Sequence, residues 1–119
     1  MSAMPLAGLR VLDVSTMLAG PYGATLLGDL GADVIKVESH YGDESRHLGP
    51  KREGECGPYL SLNRSKRDLV LDLLTPQGQE VFARLAATAD ILVTNVREPA
   101  LGRLGLEFEQ VQRHRSDIV

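Results

Sequence analysis

Lys66, Arg67, Arg97 and Arg103 fall in turns or beside the ends of short apolar runs, and a guanidinium so placed can grip phosphate oxygens with two parallel hydrogen bonds. Asn95 directly follows the run Ile91–Val93, and its amide both donates and accepts. Glu38 closes another run, Asp33–Glu38, at a position from which a carboxylate can hold a ribose hydroxyl. Over residues 16–23 an apolar run passes through a loop into a helical pattern, where free backbone N–H groups and a partial positive charge suit a phosphate. The sequence Gly20-Pro21-Tyr22-Gly23 is not G-x-G-x-x-G, and a G-x-x-x-x-G-K-S/T loop is absent, so the two common nucleotide fingerprints are missing. Taken singly, a solvated surface charge or a tight turn accounts for each of these residues as well.

Other chemistries find less support. His40 and His47 are too far apart for a helical metal pair and Cys56 has no partner at ligand spacing, so no metal site is expected. Ser15, Ser39, Ser61 and Ser65 lack the G-x-S-x-G elbow, and no nucleophilic serine is expected. Asp13, Asp29, Asp33, Asp72 and Asp90 are spread along the chain without a local carboxylate partner for acid–base work. No residue is assigned a catalytic role.

The elements that must position these side chains follow from periodicity and punctuation. Residues 9–14 predict a buried strand and residues 15–20 a loop opening a helix, with Pro21 in its first turn and Ala24, Leu26, Leu27 and Leu30 at its apolar positions. Gly31 stands where a left-handed cap ends that helix, and Asp33–Glu38 predicts a second, parallel strand. Residues 39–58, rich in Gly and Pro, predict a long loop; residues 59–62 a brief extended piece; residues 69–73 a strand. Thr75-Pro76 announces a helix whose Val81, Phe82, Leu85 and Ala86 share a face. Ile91–Val93 predicts the next strand, two short helices follow, the first ending at Gly105, and residues 116–119 predict the entrance to a further strand. A chain stopping there is expected to be truncated at 119, so that residues 1–119 form the amino-terminal part of a larger domain.

Composition agrees with one α/β core. The 119 residues are 43% hydrophobic and 24% charged, without Trp, so the core must be aliphatic, as in buried parallel sheets. A net charge of -3 argues against coating nucleic acid. No apolar run approaches the roughly 20 residues needed to span a bilayer, no signal-peptide pattern opens the chain, and the single cysteine forms no internal disulfide. The expected address is cytoplasmic, without membrane or nucleic acid as partner.

The blocks Pro5-Leu6-Ala7-Gly8-Leu9-Arg10-Val11-Leu12-Asp13, Ala19-Gly20-Pro21 and Leu30-Gly31-Ala32-Asp33-Val34-Ile35-Lys36-Val37-Glu38 are joined by Gly42-Asp43 with Arg46 and by Leu62-Asn63-Arg64-Ser65-Lys66-Arg67. Leu71-Asp72-Leu73, Thr75-Pro76 with Gly78, Ala89-Asp90-Ile91-Leu92-Val93 with Asn95, and Leu101-Arg103-Leu104-Gly105 complete the series. In this order the blocks strongly resemble the opening of class III CoA-transferases, the family of formyl-CoA transferase, carnitine CoA-transferase and α-methylacyl-CoA racemase. The resemblance implies a Rossmann-like, mostly parallel sheet with helices on both faces, incomplete as given, in subunits that interlock as a homodimer. It implies coenzyme A as the bound thioester substrate, exchanged with a carboxylic acid through an anhydride on an aspartate beyond this chain. By matched position, Thr16, Met17, Leu18 and Ala19 would approach the CoA, and Ser39, Leu71, Asp72, Leu73, Leu74, Asn95, Val96, Arg97 and Arg103 would hold its adenine and phosphate parts. A basic residue is usual where Ser39 stands, and the usual Asn-Phe-Arg-Pro-Gly run reads Asn95-Val96-Arg97-Glu98-Pro99 here. The alternatives are a racemase of the same family, a non-catalytic CoA-binding module, and a dinucleotide-binding half of a dehydrogenase resting on the β-α-β unit and Glu38.

Overall fold

The computed structural model describes residues 3–119. In chain order the elements are β1 (Arg10–Asp13), α1 (Ala19–Asp29), β2 (Asp33–Glu38), a 3-10 turn (Glu44–His47), β3 (Lys51–Arg52), β4 (Glu55–Cys56), α2 (Gly57–Leu62), β5 (Arg67–Val70), α3 (Pro76–Ala86), β6 (Ile91–Val93), α4 (Ala100–Leu104) and α5 (Phe108–Gln112). Four strands form one sheet in the order β5-β2-β1-β6, every neighbouring pair parallel. β3 and β4 make a separate antiparallel hairpin.

Side chains alternate across each strand and so feed two cores. Leu12, Val14, Ile35 and Val37 pack with Phe82 and Ala86 of α3 and with Leu106 and Val111. Val11 and Val34 point the other way, onto Ala24 of α1, with Leu27, Ile91 and Val93 packed alongside. The sheet is thus covered on both faces, the Rossmann-like α/β arrangement expected. Both long helices begin and end as their sequences dictate. Pro21 lies in the first turn of α1, where its missing N–H leaves no bond unmade, and Gly31 beyond its end adopts φ +105°. Thr75 caps α3 by accepting from the Gly78 N–H at 3.1 Å.

Several expectations are corrected. α1 meets the sheet through Ala24, Leu27 and Gly28, with Pro21 and Thr25 also buried, while Leu26 and Leu30 are exposed. With Leu18 and Tyr22 they form an apolar stripe at four-residue spacing on the outer side of the helix. Val81 is likewise exposed, whereas Phe82 and Ala86 are buried and Leu85 packs on the core as expected, with Gly78 buried besides. Residues 59–62 are helical, not extended: extended Cys56 and then Pro58 start α2, and the side chain of Asn63 closes it by donating to the Tyr59 carbonyl at 3.0 Å. The 39–58 loop contains the 3-10 turn and the hairpin. β5 begins two residues earlier than expected, because Arg67 and Asp68 of this edge strand are satisfied by Asp33 and Arg46. At residues 116–119, Val119 donates to the Asp90 carbonyl at 3.1 Å and accepts from the Leu92 N–H at 2.9 Å, the bonding pattern of a parallel ladder on the outer side of β6. Among the described residues no helix is long and apolar enough to cross a membrane.

Candidate functional site

The chain runs β1, β2, β5 towards one edge of the sheet and then places β6 on the opposite side of β1, so the direction of winding reverses between β1 and β6. In open α/β sheets ligands bind beyond the carboxyl ends of the strands at such a reversal. A cavity of about 280 Å³ opens there, walled by Val14, Val37, Leu71, Leu73, Leu74, Val96 and Leu104, with Thr16, Ser39, His40, Tyr41 and Asp72 among its polar and aromatic lining. A second hollow of about 310 Å³ shares Leu73 and Leu74 with it and is lined by Thr75, Gln79, Arg103 and Gln110.

Of the residues singled out in the sequence, Thr16, Ser39, Leu71, Asp72, Leu73, Leu74 and Val96 meet at the first cavity and Arg103 lines the second. Met17, Leu18, Ala19, Asn95 and Arg97 line neither. Leu18 and Ala19 are exposed at the start of α1, and Arg97 is exposed beyond β6. The Met17 N–H donates at 3.0 Å to Asp43. Asn95 has both ends of its amide occupied: its Oδ1 accepts from the Thr16 N–H at 3.0 Å and its Nδ2 donates to the Thr16 carbonyl at 2.8 Å.

Beneath this loop lies a buried charge cluster that sequence reasoning missed. Asp13 and Lys36 sit on the α1 face of the sheet, past the point where α1 covers it. The Lys36 ammonium, on a side chain only 1% exposed, contacts Asp43 at 2.9 Å, Asp13 at 3.8 Å and the Ser15 carbonyl at 2.9 Å. Lys66 reaches Asp13 at 2.7 Å and also donates to the Pro21 and Leu62 carbonyls and to Asn63. Asp13 in turn accepts from the Ser15 N–H and hydroxyl. Burial would push the Asp43 carboxyl up, but Lys36 and the Ser45 N–H and hydroxyl outweigh it and hold the group below the usual carboxylate range. Burial draws the Lys66 ammonium below the usual lysine range, against the pull of Asp13. Lys66 is therefore no candidate for an external phosphate.

Glu38 is also fully engaged. Its carboxylate accepts from Arg46 Nη2 at 3.0 Å and Nε at 3.1 Å, from the Tyr59 hydroxyl at 2.9 Å and from the Asp43 N–H at 3.3 Å. The Arg46 guanidinium stacks 3.7 Å above the Tyr59 ring and reaches Asp68 at 3.2 Å. Burial, followed by the Glu38 charge, pushes both the Tyr59 phenol and the Asp68 carboxyl upward. The expected ribose contact at Glu38 is thus corrected to a structural one, which leaves the dehydrogenase reading only the β-α-β unit to rest on. Arg67 is spent on Asp33 at 2.6 Å. Arg97 and Arg103 alone of the four sequence candidates form no ion pair among the described residues. The sequence signal for this network was that Asp13, Lys36, Glu38, Asp43, Arg46 and Lys66 all fall in the blocks that carry the family resemblance. Among the described residues no group of three His, Cys, Asp or Glu could hold a metal ion.

Residues 6–119 match the family model described as CoA-transferase family III. Succinate–glutarate CoA-transferase of Agrobacterium fabrum is 40% identical over 91% of this chain and 29% of that protein. Succinyl-CoA:glutarate CoA-transferase of Homo sapiens is 39% identical over 97% of this chain and 27% of its own. The chain thus spans less than a third of the length of these curated relatives. A crystal structure of a CaiB/BaiF family protein from Brucella suis superposes with a TM-score of 0.87 at 39% identity, over 95% of this chain and 31% of that one. A putative betaketoacyl-ACP reductase, 20% identical with a TM-score of 0.52 over 95% of this chain and 48% of that one, shares the fold alone.

Proposed function

The chain belongs to CoA-transferase family III, and on that premise we propose that it forms the coenzyme-A-binding part of an enzyme moving CoA between an acyl thioester and a carboxylic acid. The observation that carries the reading is the apolar cavity at the carboxyl ends of parallel strands, adjoined by a hollow lined by the unpaired Arg103. CoA is a long ligand with apolar stretches and anionic phosphates, and this pairing of surfaces suits it. Thr16 approaches the CoA, while Ser39, Leu71, Leu73, Leu74 and Val96 line its path and Arg103, with Arg97 beyond β6, faces its phosphates.

In the transfer itself an aspartate carboxylate attacks the thioester carbonyl. A carbon–oxygen bond forms, the carbon–sulfur bond breaks, and the electron pair leaves on the CoA thiolate, giving a mixed anhydride through which the acyl group is exchanged. No residue of this chain is assigned to that step. The relatives named for succinyl-CoA favour it as the donor to test first, and the complete protein is proposed to be an interlocked homodimer.

The test incubates the full-length protein with succinyl-CoA and glutarate and separates the CoA thioesters by chromatography. Appearance of glutaryl-CoA with release of succinate is expected. CoA binding without exchange would reduce the protein to a binding module. Incorporation of solvent deuterium next to the carbonyl of a 2-methylacyl-CoA, without transfer, would make it a racemase.

A further inference from the structure

Both ends of the Asn95 amide are engaged by Thr16, and Asn95 does not line the cavity. Its two hydrogen bonds, 3.0 and 2.8 Å, grip both backbone polar groups of Thr16 across the reversal point between β1 and β6. The residues on either side of Thr16 are held as firmly. The Ser15 carbonyl accepts from Lys36 at 2.9 Å, and the Ser15 N–H donates to Asp13 at 3.1 Å. The Met17 N–H donates to Asp43 at 3.0 Å, and Met17 adopts φ +70°, a left-handed conformation that a side chain as large as methionine takes only when its surroundings impose it. Five backbone polar groups over three residues are therefore fixed by four side chains from four parts of the chain. Left free is the Thr16 hydroxyl: Thr16 is exposed, lines the cavity and makes no side-chain hydrogen bond among the described residues.

We infer that Asn95 is a positioning residue which does not touch the ligand, and that it acts by holding the Thr16 hydroxyl at the cavity as a hydrogen-bonding contact for bound CoA. A loop so restrained has little conformational freedom to lose on binding, which is the advantage of preorganisation. The inference rests on the CoA-binding reading, but where matched position gives both Thr16 and Asn95 a contact with CoA, it keeps the contact at Thr16 and makes Asn95 act through it.

A double-mutant cycle separates the two. In the full-length protein, CoA affinity is measured by calorimetry for the wild type, Asn95→Ala, Thr16→Val and the double variant. If Asn95 acts through Thr16, Asn95→Ala weakens binding about tenfold in the wild-type background and by less than about twofold when Thr16 is already Val, since residues acting through one contact couple strongly. Equal losses in both backgrounds would show that Asn95 meets CoA directly and would overturn the inference. Hydrogen exchange without ligand tests the clamp by itself. The Thr16 amide should exchange faster in Asn95→Ala, with the melting temperature little changed because Asn95 is exposed; unaltered exchange would also overturn it. Failure of the wild-type protein to bind CoA would sink the functional reading while leaving the exchange result to judge the clamp.

Discussion

A lysine in the middle of a buried strand is uncommon, because an ammonium leaves water only where it finds countercharge. Lys36 finds Asp43 and Asp13. Replacing it by Met would leave Asp43 buried without its cation, and the expected loss is about 3–5 kcal/mol in urea unfolding. Asp43 gives the protein an acid limit as well. Its folded pKa lies below the unfolded value of about 3.9, so its contribution is complete above that value and vanishes as pH falls through the folded one. Unfolding midpoints recorded between about pH 5 and pH 2 should therefore fall less steeply in Asp43→Asn than in the wild type; parallel curves would place the acid sensitivity elsewhere. At the ligand end, Arg103→Ala should weaken CoA binding by about 1–3 kcal/mol if Arg103 holds a phosphate, and unchanged affinity would make it a surface residue. Arg103 could be placed near an element's end from the sequence, and Ser39 and the 71–74 run came from the family resemblance, whereas Lys36, Lys66 and Glu38 could not be resolved as structural. Their partners lie in other elements, 8 residues away for Glu38–Arg46 and 53 for Lys66–Asp13, and such pairs leave no periodic trace.

Gly78 of α3 and Gly23 of α1 differ in the room around them. Gly78 lies where α3 turns back over the preceding segment, and a Cβ there would overlap the Asp72 carbonyl. Gly78→Ala should cost about 1–3 kcal/mol as an overpacked site and should disturb Leu73 and Leu74 beside it. Gly23 of α1 has nothing near its would-be Cβ and an ordinary helical φ, so Gly23→Ala should stabilise by about 0.5–1 kcal/mol. Thermal denaturation of both variants would check the pair. At this scale β1, α1, β2, α3 and β6 were legible because local pattern and caps agree. The displaced elements were those whose identity depends on distant contacts. β5 carries charges matched by Asp33 and Arg46, and α2 holds Tyr59 against Glu38. On α1, Ala24 and Leu27 pack on the sheet as expected, whereas Leu26 and Leu30 are apolar by type but face outward.

The molecule as a whole is a four-stranded sheet with a helix layer on each face and a cavity at the carboxyl ends of its strands. The outer side of α1 remains apolar along Leu18, Tyr22, Leu26 and Leu30. In solution the 119-residue chain alone should therefore self-associate through that stripe. Light scattering should register a drop in apparent mass for Leu26→Lys combined with Leu30→Lys, and a wild-type chain that stays monomeric would refute this. The buried cluster has a consequence of another kind. Lys36 and Lys66 balance Asp13 and Asp43 out of reach of solvent, whereas Arg97 and Arg103 stand in water. Mobile ions screen exposed charges over about 8 Å at 0.15 M ionic strength and leave buried pairs nearly untouched. Adding salt should accordingly weaken the hold on an anionic ligand while the melting temperature stays level. The medium would then govern how strongly the mouth of the cavity attracts, and the interior would keep its shape constant.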